Sequence, residues 1–249
     1  MTLPIQIFSA TSGVAAHPSV QVTVPAGYKI IGGGAFDHWT GAGSMLTASC
    51  PLNVSTWYAA GKDHEVSAPA TISAYAIALH DPNNLWDVTI KQETSNPAPH
   101  PQAIAVLPDG FVLTGGGAFV HWNGAGNLLT ASFPNSDKSW EVRSKDHDIS
   151  DPAQITAYSI GIRPKPGQKR VQHLIKNATG GVAPHPTAHV TLDPGWALSG
   201  GGAFDNWNGA GNMLTASYPS GISWIGSGKD HIESSPAAIT AYVIGLREV

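Results

Sequence analysis

Three groups of aromatic and polar side chains recur along the 249-residue chain. The first is Trp39, Ser44 and Lys62-Asp63-His64. The second is Trp122, Asn127 and Lys145-Asp146-His147, and the third is Trp207, Asn212 and Lys229-Asp230-His231. A Trp set between polar residues and Gly-Ala-Gly offers an apolar face of the kind that receives the C–H face of a sugar ring. An aspartate nearby accepts hydroxyl hydrogens, while Lys, His and the Ser or Asn amide donate. The pattern therefore predicts carbohydrate binding by Trp39, Ser44, Asp63, His64, Trp122, Asn127, Asp146, His147, Trp207, Asn212, Asp230 and His231, with one shallow site per copy.

Other chemistries fit less well. Each copy carries histidines, such as His17, His38 and His64, and imidazole is a common metal ligand. The third copy, however, has Asn206 where the others have His38 and His121, and no His-x-His or paired-Cys spacing occurs. Calcium requires clustered carboxylates, and Asp37 is matched by Val120 in the second copy. No metal or cofactor is expected. Ser49, Asp63 and His64 have counterparts in every copy, but adjacent Asp and His do not form a relay through one imidazole, and there is no Gly-x-Ser-x-Gly elbow. The triple glycine at 32–34 lacks the Lys-Ser/Thr ending of a phosphate loop. Three near-identical sites suit a weak multivalent binder, which gains avidity from simultaneous contacts, better than an enzyme. The competing reading is a structural or surface-adhesion protein whose repeated residues only build the core. A metal-dependent enzyme stands behind both.

The elements that must position these groups also recur. Gly-Gly-Gly-Ala-Phe begins at residues 32, 115 and 200, a period of about 84 residues. Around it, each copy has short alternating runs, as in Ile5-Gln6-Ile7-Phe8 and Val20-Gln21-Val22-Thr23-Val24, which read as strands. Turn chemistry such as Pro25-Ala26-Gly27 separates them. Further strands are expected at Tyr28–Ile31, Leu46–Ser49, Trp57–His64 and Thr71–Ile77. Consecutive glycines in a strand indicate a bulge or a close backbone approach. Trp57, Trp140 and Trp224 head a strand in each copy and are expected as core anchors. With about six short strands per copy and no sustained 3.6-residue period, the expectation is all-β. The copies span residues 1–82, 83–167 and 168–249. Short stiff links favour packing into one body with pseudo-three-fold symmetry.

Composition agrees with a folded, turn-rich chain: 12% of residues are charged, 42% are hydrophobic, and there are 28 Gly and 19 Pro. A net charge of −4 gives no electrostatic reason to expect nucleic acid or an anionic membrane as partner. The single cysteine, Cys50, is matched by Phe133 and Tyr218, which marks an apolar position and not a reactive thiol. The N-terminus lacks the basic and apolar regions of a cleavable signal, and no apolar run reaches the ~20 residues of a membrane span. That predicts a soluble chain, cytoplasmic or exported by a non-classical route.

Pro25-Ala26-Gly27, Gly32-Gly33-Gly34-Ala35, Ser49-Cys50-Pro51, Trp57 and Ala74-Tyr75-Ala76-Ile77 together resemble a repeat found in secreted actinobacterial β proteins. The resemblance covers each copy and implies a β-repeat fold, with no agreed function attached. That family usually carries a cysteine before Pro-Ala-Gly and another at the end of the unit; Val24 and Ala78 stand there in this chain, so the family's disulfide is absent. More loosely, six short strands per unit used three at a time is similar to the architecture of trimeric H-type lectins. That likeness implies glycan partners on cell surfaces and agglutination, and transfers no residues.

Overall fold

The computed structural model describes residues 3–249, and no helix occurs among them. The first copy forms β1 (Ile5–Thr11), β2 (Ser19–Thr23), β3 (Tyr28–Asp37), β4 (Ser44–Asn53), β5 (Thr56–Asp63) and β6 (Ile72–His80). The second forms β7 (Trp86–Thr94), β8 (Gln102–Val106), β9 (Val112–His121), β10 (Asn127–Ser136), β11 (Ser139–Asp146) and β12 (Gln154–Pro164). The third forms β13 (Val171–Thr179), β14 (Thr187–Thr191), β15 (Ala197–Asp205), β16 (Asn212–Ser220), β17 (Ser223–Asp230) and β18 (Ile239–Glu248). Alternation does what it should on the outer strands: Ala103 and Ala105 of β8 are buried, whereas Gln102, Ile104 and Val106 are exposed.

The eighteen strands make three antiparallel six-stranded sheets, in the orders β1-β6-β3-β16-β17-β14, β13-β18-β15-β10-β11-β8 and β2-β5-β4-β9-β12-β7. Every sheet is half one copy and half another. Strands one, six and three of a copy go to one sheet, and strands two, five and four go to a different one. The halves meet along a short seam, Ala35 and Phe36 of β3 pairing with Ser217 and Ala216 of β16, with equivalent seams between β15 and β10 and between β9 and β4. The hydrogen-bonded unit is therefore the sheet, and its boundaries cross those of the sequence copies.

The triple glycine makes this possible by three separate close approaches. A Cβ at the first position, Gly32, would collide with the Ser199 carbonyl of another copy, and Gly115 and Gly200 meet other copies in the same way. The second position lies against the indole of the strand tryptophan: Gly33 on Trp57, Gly116 on Trp140, Gly201 on Trp224. The third abuts a backbone carbonyl across the seam, Gly34 on Ser217, Gly117 on Ser49 and Gly202 on Ser132. A bulge precedes each triplet, at the register shifts beside Gly32, Gly115 and Gly200.

One apolar cluster runs through all three sheets and contains Trp57, Trp140 and Trp224, each at most 1% exposed. Their indole N–H groups donate to Ser49, Ser132 and Ser217 at 3.2, 2.9 and 2.9 Å, which removes the cost of burying them. Cys50 is buried, and burial pushes its thiol up to about 12. No helix among the described residues is long and apolar enough to cross a membrane.

Candidate functional site

The Lys-Asp-His segment ends a strand in each copy, at β5, β11 and β17, and alternation sends its members to different places. The histidine points inward. His64 Nε2 lies 2.9 Å from the His147 carbonyl, His147 Nε2 lies 2.8 Å from the His231 carbonyl, and His231 Nε2 lies 2.7 Å from the His64 carbonyl, closing a ring. The three imidazole centres are 5.4–5.5 Å apart. Each Nδ1 faces a loop carbonyl of the next copy, that of Ala125, Ala210 or Ala42. A neutral imidazole donates from one nitrogen only. At His231 the Nε2–H donates around the ring and Nδ1 is 3.4 Å from the Lys229 ammonium, which can donate to it. Burial lowers the His231 pKa, against the Ala42 carbonyl, and so favours that neutral form.

The lysine reaches into the neighbouring copy. Lys62, Lys145 and Lys229 donate to the carbonyls of Ala125, Ala210 and Ala42, each in the Gly-Ala-Gly loop of a different copy. There each ammonium lies over a loop indole: Lys62 over Trp122 at 4.9 Å, Lys145 over Trp207 at 4.8 Å and Lys229 over Trp39 at 5.1 Å. These lysines are about 3% exposed, and desolvation lowers the pKa of all three, that of Lys229 to about 8. Cation–π attraction gains strength when the charge is desolvated in this way.

The aspartate faces the His-Pro turn of its own copy. His17 lies 3.4 Å from Asp63, His100 3.4 Å from Asp146 and His185 3.7 Å from Asp230. The second oxygen of each aspartate accepts from a backbone N–H five residues on, at Ala68, Asp151 or Ser235. The same turn histidines pack edge-on with the loop tryptophans at centroid distances of 5.1–5.4 Å: His17 with Trp122, His100 with Trp207, His185 with Trp39.

Each group is thus assembled across a junction between copies, not within one. Trp122 meets Lys62 and His17, Trp207 meets Lys145 and His100, and Trp39 meets Lys229 and His185, with Asp63, Asp146 and Asp230 on the far side of those histidines. His64, His147 and His231 are 1% exposed, and Ser44, Asn127 and Asn212 are fully buried. The two asparagines hold their own loops by donating to Pro99 and Pro184. The loop tryptophans are half-buried, clasped between lysine and histidine.

The Trp207 junction carries a cavity of about 310 Å³ whose walls include Trp207, Phe204, His100 and Arg143. At its depth are Thr130, Ser144 and Asp205. All three are 2% exposed or less, and neither hydroxyl nor either Asp205 carboxyl oxygen has a hydrogen-bond partner. Thr130 occupies a β-bulge of β10, the kind of irregularity that re-aims a side chain. Burial raises the Asp205 pKa to about 8 against the pull of Lys145, so the carboxyl is mostly neutral at pH 7. Asp37 at the Trp39 junction behaves alike, raised by burial to about 7 with Ser44 and Lys229 acting the other way. Sequence reasoning passed over Asp205 because Val120 breaks the pattern. The available signal was strand parity, which puts Asp205 on the same inward side as Ala203.

No cluster of three or more His, Cys, Asp or Glu suited to a metal occurs among the described residues. No family model matches the chain, and no curated protein is found to resemble it in sequence.

Proposed function

We propose that this protein is a multivalent, non-catalytic carbohydrate-binding protein. In this reading three copies, arranged with pseudo-three-fold symmetry, form binding sites at their junctions. The observation that carries it is the Trp207 cavity, where an aromatic wall stands beside polar groups that have no partner within the protein. Buried hydroxyl and carboxyl groups left unpaired are costly, and a polyhydroxylated ligand supplies both donors and acceptors to them. The cavity has the volume of a small-ligand site, and its mixed lining is the usual composition of one. Glycan-array binding by the wild-type protein, repeated with Trp39, Trp122 and Trp207 all changed to Ala, tests the reading. Binding by the wild type and its loss in the triple variant is expected; no bound glycan, or unchanged binding, overturns it.

One observation favours a second reading, a structural or adhesion protein without a small-ligand site. The repeated Lys, Asp and Trp side chains already bind one another across the junctions, so their recurrence has a folding explanation. On that reading the triple Trp variant loses stability and no sugar-binding function.

A further inference from the structure

We propose that the Trp207 cavity takes a pyranose bearing one anionic group, carboxylate or sulfate ester, held by Arg143. The inference rests on the carbohydrate reading above and gives that one site its ligand class.

The three junctions differ where they face solvent. Strand position 143 carries Arg, while the matching residues are Ala60 in the first copy and Ser227 in the third. Arg143 is on the wall of the cavity, its side chain 40% exposed. Its guanidinium carbon lies over the Phe204 ring, 5.1 Å from the ring centre. Nε and Nη2 both go to one oxygen of buried Glu141, at 2.6 and 2.5 Å, and Gln102 donates to that same oxygen at 2.9 Å. Glu141 therefore fixes the orientation of the fork from one side. Nη1 has no partner among the described residues and is free for an anion.

Other groups in the cavity tolerate or favour negative charge. Lys145 sits behind the Trp207 ring, and Asp205, pushed up by burial to about 8, is mostly neutral near pH 7 and so adds little repulsion. The Thr130 and Ser144 hydroxyls at the cavity's base have no partner within the protein. Arginine with a planar, preset fork is the side chain suited to oxyanions, and a charge-assisted bond is roughly twice as strong as a neutral one. Glycines replace Ser144 at the other junctions, Gly61 and Gly228, and Val120 replaces Asp205 at one of them, while Asp37 matches it at the other. The complete set therefore occurs once.

Calorimetry with methyl glucoside, methyl glucuronide and methyl glucoside 6-sulfate tests the assignment. The wild type is expected to bind one or both anionic glycosides at one site per chain, about tenfold tighter than the neutral one. Arg143→Ala should abolish that margin. Because Arg143→Ala leaves the buried Glu141 without its counter-charge, the Glu141→Gln/Arg143→Gln double variant provides a control with the same expectation. Equal binding of all three glycosides by the wild type overturns the proposal and leaves the carbohydrate reading standing. So does a margin that survives the double variant. Binding of no glycoside, with none bound on the wider glycan array, overturns both.

Discussion

Lys145 and Trp207 belong to different copies of the repeated sequence, yet the Lys145 ammonium stands 4.8 Å from the centre of the Trp207 indole. The same relationship joins Lys62 to Trp122 and Lys229 to Trp39. A lysine that is almost fully buried needs the negative face of a ring as well as its loop carbonyl. Trp207→Leu should therefore cost about 1 kcal/mol more than Trp207→Phe, because only the phenyl ring keeps that face. Urea denaturation of the two variants measures the difference; equal losses would show that the ring contributes packing alone.

Asp205 and Asp37 predict a pH dependence of stability. Their folded pKa values, about 8 and about 7, lie above the unfolded value of 3.8, so the native state binds more protons between those limits. Stability should fall as pH rises through that window. His231, whose pKa is lowered, acts in the opposite sense below its unfolded value of 6.5, and Lys229 does so from about 8 upward. Lys62 and Lys145, lowered by burial, act in the same opposing sense as Lys229, so the carboxyl effect is read in the range from pH 6.5 up to about 8. Thermal unfolding should show a declining melting temperature across it, and the Asp37→Asn/Asp205→Asn variant should flatten that decline.

Gly201→Ala should be severely destabilising. The new methyl would overlap both the Trp224 indole and the Tyr242 carbonyl, and neither can retreat from a fully packed interior. A loss of about 3 kcal/mol or more is expected, against a few tenths for the same change at Gly181, which has open space around it. Denaturant midpoints of the two variants make the comparison.

Residues 1–167 alone should not fold. Without β16, β17 and β14, the edge of β3 loses its seam partner, and β10 likewise loses β15. Unpaired edges of this kind template aggregation. The fragment should give a collapsed amide spectrum or precipitate, and the whole chain should unfold in one transition seen identically by circular dichroism and Trp fluorescence. Two resolved transitions would contradict this.

Much of the fold is legible in local sequence because local sequence carries its cause. Alternation in Val20–Val24 and turn chemistry in Pro25-Ala26-Gly27 produce β2 and the turn that ends it. The strand tryptophans are legible as core because a large apolar side chain heads the same strand in every copy. What local sequence lacks is partner identity. Three copies of nearly one sequence pair equally well within a copy or between copies on any pattern of hydrophobicity, so the sharing of sheets is invisible until register is known. The same blindness affects the site. Lys62 and Trp39 look like partners in one copy, but Lys62 reaches Trp122, because the loop bearing Trp39 turns toward the third copy. His64 seemed available beside Asp63, and strand parity, which sends neighbours to opposite faces, explains why one reaches the turn and the other the central ring.

The sharing of sheets has a consequence for valency. Three identical subunits closing such a ring would carry the same residue at every junction. One continuous chain is free of that rule, and it places Ala60, Arg143 and Ser227 at corresponding positions. On the carbohydrate reading proposed above, a ligand of the common Trp and turn-His elements would be presented with three sites per molecule and could be bridged between surfaces. A ligand that depends on Arg143 would meet one site and could not. The same polypeptide would then be a cross-linker toward one ligand and a monovalent receptor toward another.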